Sequence, residues 1–168
     1  AKAFNNCTKL EKVIFSENAG SEFIYQSAFN NCISLEEVVL PNSATHYEEE
    51  AFSNCVNLSK VTFQVNSVIS VNDGSIFTGC NKLNTFIVDE NHSSYKVSNN
   101  LLVSLDDLTI YLGANGYAYN DYIVPDAYKY IADGAFSGIS NLTTLSLGNN
   151  VEVVGSRAFE NCANLKNV

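Results

Sequence analysis

An eight-residue block recurs six times in this chain, and nothing else in the sequence limits the fold as tightly. Ala3-Phe4-Asn5-Asn6-Cys7-Thr8-Lys9-Leu10 returns at 28–35, 51–58, 76–83, 135–142 and 158–165, with Phe second and Leu last in every copy. Three residues beyond each Leu stands Val13, Val38, Val61, Phe86, Leu145 or Val168. Tyr122-Ile123-Val124-Pro125 aligns with Val38-Val39-Leu40-Pro41 and adds a seventh position. The column then advances by 25, 23, 25, 36, 23 and 23 residues. A unit this short cannot enclose its own core. Stacked units bury one continuous core, each touching only its neighbours. Parallel strands stacked at ~4.8 Å would give a front sheet about 30 Å long.

The pattern inside a coil follows from strand alternation. Leu10, Val13 and Phe15 should point inward, and Glu11, Lys12 and Ile14 outward. The next coil repeats this with Glu36, Glu37 and Val39 outside. The Ala-Phe pair supplies the far wall: a small residue where coils press together, and a ring to fill the interior. A further apolar column precedes it at Ile24, Tyr47, Val71, Ile131 and Val154. No coil carries the ~10–12 periodic residues of a full helix, so short extended or 3-10 pieces are expected there.

These residues resemble the BspA-like leucine-rich repeats, whose pattern runs roughly I-G-x-x-A-F-x-x-C-x-x-L-x-x-V-x-L-P. Val154-Gly155-Ser156-Arg157-Ala158-Phe159-Glu160-Asn161-Cys162 is a close copy. That family also carries a hairpin unit, read here as Val88-Asp89-Glu90-Asn91-His92-Ser93-Ser94-Tyr95, then Leu101-Leu102-Val103 and Thr109-Ile110-Tyr111-Leu112. Departures are Ile139 for Cys, Tyr25, Glu48 and Ala132 where Gly is usual, and Leu112 where Pro is common. The resemblance covers essentially all of residues 1–168. It implies a single leucine-rich-repeat solenoid: one parallel β-sheet of about seven strands, with one β-hairpin inserted in a long coil at about 89–125. It further implies an extracellular or cell-surface protein of host-associated bacteria or mucosal protists, associated with adhesion and binding.

The long coil lacks the Ala-Phe…Cys segment. Leu101 to Leu105 and Leu108 to Leu112 read as two strands about a turn at Asp106-Asp107. Seven of the nine tyrosines fall between 95 and 130. Tyr95, Tyr111 and Tyr122 match scaffold positions. Tyr117, Tyr119, Tyr128 and Tyr130 do not, and tyrosine suits binding surfaces because its ring is broad, rigid and polar at the tip. These four, beside Ile87 and Ile123 of the exposed strand row, are the candidate ligand-binding residues. The competing reading is that the rings cover the base of the hairpin. The exposed row itself, Ile14, Val39, Thr62, Ile87, Ile123 and Ser146, is either ordinary β-branched sheet surface or a mildly apolar docking strip.

A net charge of −9 argues against nucleic acid, which wants clustered Lys and Arg. No run approaches the ~18 apolar residues of a membrane span. The chain has no Met and opens and closes inside a repeat, so it reads as a piece of a longer protein. The five cysteines, at 7, 32, 55, 80 and 162, form one column without a C-x-x-C pair, so no metal is expected. Neighbouring coils bring Cα atoms to ~5 Å, within disulfide reach. Ile139 in the same column favours buried free thiols acting as small hydrophobes. His46 and His92 have no nucleophile pattern beside them, and no phosphate loop or Ser elbow occurs. The expectation is a binding module without catalysis or cofactor. Its partner would be a protein or, alternatively, a glycan. A third reading is an architectural spacer.

Overall fold

The computed structural model describes residues 1–16, 18–20, 23–43, 46–69, 74–106 and 108–168. Val71 and Asp107 lie outside the described residues. The strands are β1 (Lys12–Ile14), β2 (Phe23–Ile24), β3 (Glu37–Val39), β4 (His46–Tyr47), β5 (Lys60–Phe63), β6 (Thr85–Val88), β7 (Tyr95–Ser98), β8 (Leu101–Ser104), β9 (Thr109–Gly113), β10 (Asp121–Ile123), β11 (Tyr130–Ile131), β12 (Thr144–Ser146) and β13 (Val153–Val154). One 3-10 turn covers Gly74–Phe77. The repeat therefore folds as a solenoid of short coils.

Along the front, β1, β3, β5 and β6 form a parallel ladder in sequence order, with Val13, Val38, Val61 and Phe86 in register. A second parallel ladder joins β10 to β12, and a bridge from Thr144 to Asn167 extends it. The single seven-stranded sheet expected from the sequence is thus two ladders, broken between β6 and β10. The cause lies where the long coil returns to the front. The Gly116 N–H donates to the Leu83 carbonyl at 2.6 Å, so the coils touch there. Elsewhere the next bond runs from strand entrance to strand entrance, as from Ser59 to Glu36 or from Thr143 to Asn120. Here the Tyr119 N–H turns instead to the Tyr117 carbonyl, and no backbone bond among the described residues joins β6 to β10. The Leu83–Gly116 bond is thus the last backbone bond between the two coils on this side among the described residues.

The far wall is built from tight turns with two left-handed residues four apart. Ser27 and Asn31, Glu50 and Asn54, Gly134 and Gly138, and Arg157 and Asn161 all have positive φ. Asn and Gly bear this conformation at low cost. Between the turns the Phe rings stack: Phe4 on Phe29 at 5.0 Å, Phe29 on Phe52 at 5.0 Å, Phe52 on Phe77 at 5.7 Å, and Phe136 on Phe159 at 5.1 Å. Phe29, Phe52, Phe77 and Phe136 are buried, as the pattern requires.

The cysteines are free, and all but Cys7 are buried. Their role is more specific than filling space. Each thiol donates to the Phe carbonyl of the preceding coil: Cys32 to Phe4 at 3.1 Å, and Cys55 to Phe29, Cys80 to Phe52 and Cys162 to Phe136 at 3.2 Å. A thiol is a small hydrophobe with a weak donor, so it can sit in the core and still offer a donor to the Phe carbonyl, which at Phe4 and Phe136 also accepts from the Cys7 and Ile139 N–H groups of its own turn. Beyond Phe77 the next Cys is missing. The buried Asn115 amide takes its place on the Phe77 carbonyl at 3.2 Å.

The hairpin is a three-stranded antiparallel meander. β7 pairs with β8 and β8 with β9, while β9 continues in parallel into β11 and β13. The β7–β8 turn is Asn99-Asn100, both left-handed, as a two-residue hairpin turn demands. At the other turn the Asp106 carboxylate accepts from the Ser104 hydroxyl and the Leu108 N–H. β8 is buried on both faces. Leu102 belongs to the core of the first coils, and Leu101 and Val103 to that of the last. The hairpin is a septum between two hydrophobic cores.

Candidate interaction surface

The outward side chains of the first ladder form a continuous strip. Ile14, Val39, Thr62 and Ile87 sit side by side in register on β1, β3, β5 and β6. They floor a groove of about 540 Å³, whose rim includes Asn42, Gln64 and Asp89. The Gln64 amide donates to the carbonyls of Phe15 and Leu40 at 2.9 and 2.7 Å, tying three coils together along that rim. On the other flank the Glu37 carboxylate lies between Lys12 at 2.6 Å and Lys60 at 2.8 Å. Hydrogen bonds from these two ammonium groups hold Glu37 below the usual carboxylate range. An exposed pair of this kind contributes little stability, but a chain of three charges fixes the side chains around the apolar row.

A second groove, of about 380 Å³, runs between β6 and the hairpin and shares Ile87 and Asp89 with the first. Its walls include Val88, Val97 and Leu105.

The tyrosines singled out from the sequence do not form one surface. Tyr119 is only 2% exposed. Its hydroxyl accepts from the Ala114 N–H at 3.0 Å, and its ring packs on Phe136 at 5.7 Å. The reason is Gly113, whose N–H bonds to the Ala135 carbonyl just as that of Phe29 bonds to Ala51. Gly113 therefore stands in the Phe column without a ring. A Cβ there would lie 2.7 Å from the Phe136 ring, and the rings of Tyr119 and Tyr122 fill the space instead. Tyr128 is also buried, at 4% exposure. Both rings are packed inside the scaffold rather than presented on an open surface. The signal was available: Tyr119 precedes Tyr122 by three, the spacing of Leu35 to Val38.

Tyr117 and Tyr130 are exposed, yet on different walls. Tyr117 stands at the corner before β10, where its carbonyl accepts from the Asn141 amide at 2.6 Å. Tyr130 lies on β11, with its hydroxyl 3.3 Å from Glu152. Ile87 belongs to the strip just described. Ile123, 68% exposed, is on β10 across the break. His92 is structural: its Nε2 bonds the Ser67 carbonyl at 2.8 Å, while Nδ1 accepts from the Ser94 and Tyr95 N–H groups at 3.1 Å. Among the described residues no three His, Cys, Asp or Glu side chains converge where a metal would sit, and no helix is long and apolar enough to cross a membrane.

Short parallel coils, a regularly spaced Leu column just ahead of the front strands and a Phe-Cys turn behind them define a leucine-rich-repeat module. The chain belongs to the BspA-type leucine-rich repeat family, whose model matches residues 1–112 and 111–168 in six copies. Its fold is similar to that of a leucine-rich cell surface protein from Faecalibacterium prausnitzii, with a TM-score of 0.69 at 24% identity over 99% of this chain and 43% of that one. It is also similar to the pneumococcal vaccine antigen PcpA, with a TM-score of 0.73 at 24% identity over 94% of this chain and 38% of that one. The chain thus spans about two fifths of each of these proteins. No curated protein matches it.

Proposed function

We propose that this chain is a non-catalytic protein-binding module of an exported or surface-anchored protein, and that it engages a folded protein partner through the outer face of its first ladder. The observation that carries the reading is the strip of Ile14, Val39, Thr62 and Ile87, in register over four coils. A rigid apolar row edged by fixed charges matches the make-up of protein interfaces, with an apolar centre and a polar rim. The Faecalibacterium protein, described as a cell surface protein, supports the assignment to the surface. Glycan binding has less to support it, because Tyr119 and Tyr128 are inside the scaffold and the two remaining rings belong to different walls.

The test is to probe an array of purified extracellular proteins beside a glycan array with the intact chain and with a Val39→Glu, Thr62→Glu variant. Both sites are partly exposed, so the variant should keep its circular dichroism. Protein hits that vanish in the variant are expected. Binding to glycans alone, or protein binding that the variant retains, would overturn the reading.

A further inference from the structure

We infer that the break in the front sheet is a strand-addition site, in which the open edge of β6 takes an extended segment of a partner polypeptide. This goes beyond binding on the outer face and stands without it. In a solenoid each strand edge is covered by the next coil. β6 is the last strand of its ladder, and beyond Leu83 no backbone bond among the described residues joins it to the following coil. Its sequence, Thr85-Phe86-Ile87-Val88, is β-branched and aromatic. It has none of the devices that shield an edge strand: no proline, no charge and no bulge. Backbone donors and acceptors at strand spacing are matched by one kind of ligand, another extended backbone.

The space beside this edge suits a single strand. The groove of about 380 Å³ between β6 and the hairpin offers Val88, Val97 and Leu105 for apolar side chains, with Val97 and Leu105 substantially exposed. At the far end of β6 stand the exposed acids Asp89 and Glu90. The occupant is therefore a peptide segment with apolar residues at alternate positions and a basic residue at the end that meets these acids. The groove is narrow, about 380 Å³ and walled by both β6 and the hairpin, so one strand fits it better than a whole second solenoid.

The experiment selects decapeptides from a random display library on the intact chain, then synthesises the enriched sequences with and without N-methylation at alternate amides. Enrichment of alternating β-branched sequences carrying Lys or Arg at one end is expected. N-methylation of one set of alternate amides should cut affinity at least tenfold, and of the other set hardly at all. Bound peptide should slow amide exchange in β6. Val97→Lys and Leu105→Lys, both at exposed sites, should weaken peptide binding while Val39→Glu does not, which separates this site from the outer face. Lack of enrichment, insensitivity to N-methylation or unchanged exchange in β6 would overturn the inference. So would self-association of the chain that Val97→Lys abolishes, since the occupant would then be a second copy.

Discussion

Tyr119 does the work of a missing phenylalanine. Its ring lies against Phe136 where Gly113 has left the Phe column empty. Tyr119→Ala is expected to cost about 3–5 kcal/mol in urea denaturation, the usual cost of emptying a large core site. Tyr119→Phe should cost less, about 0.5–1.5 kcal/mol, because it removes the hydroxyl that accepts from the buried Ala114 N–H but leaves that N–H its bond to the Asn100 carbonyl at 3.3 Å. If Tyr119→Ala were neutral, the ring would not be filling that gap. The thiols follow the same logic of local satisfaction. Burial pushes Cys32 up to about 11, from an ordinary 9.0, and raises Cys80 as well. With a thiol reagent at neutral pH, Cys7 should react first. Cys32, Cys55, Cys80 and Cys162 should react only at the rate of unfolding, and fast labelling of all five would contradict their place in the core.

At the scale of elements, the hairpin depends on Asn99-Asn100. Both residues are left-handed, with φ of 50° and 61°. Asn100→Val should destabilise the chain by about 1–2 kcal/mol, since a β-branched side chain clashes in that conformation, whereas Asn100→Gly should be near neutral. Equal effects of the two in thermal melts would exclude the turn as the cause. The sequence spoke clearly wherever one residue type repeated at fixed spacing. The Leu, Val, Phe and Cys columns read directly as core because burial imposes the same demand in each coil. It was less legible where a coil solves the same problem with different residues. Tyr119 for Leu, Gly113 for Phe and Asn115 for Cys each replace a column member, and a reader following identity rather than spacing passes over them. The split of the front sheet was not legible at all. The end of the pairing after Leu83 depends on where the hairpin sits inside the solenoid, a contact between segments rather than a property of either.

The whole molecule is two cores on either side of β8. The larger holds Phe29, Phe52 and Phe77, and the smaller holds Phe136, Tyr119 and Leu145. Repeat proteins unfold by adding up coil stabilities and neighbour contacts. Amide exchange should therefore report a lower opening free energy for residues 121–168 than for β3, β5 and β6, and a single common value would mean that the septum couples the cores fully. Alkali should weaken both. The folded chain holds protons on Cys32 up to about 11 and on Tyr122 up to about 12, chiefly because both are buried. The unfolded chain releases them near their ordinary values of 9.0 and 10.0. Stability is then complete below about pH 9 and falls as pH rises through the folded values. The urea midpoint should be lower at pH 11 than at pH 7.

The broken ladder also makes the chain mechanically uneven. Tension drawn along the solenoid axis is shared by several backbone bonds at most junctions between coils. Across the break the load falls on the Gly116–Leu83 bond, the buried Asn115–Phe77 bond beside it, the Thr78–Ser137 hydroxyl contact and the exposed Arg157–Glu49 pair. A chain anchored at one end and pulled by flow at the other should yield first at this joint, widening the gap beside β6 before any coil unravels. In a force-extension trace this would appear as a short, reversible lengthening ahead of the larger steps from the two cores, and a trace without it would mean that the septum carries the load the missing ladder does not.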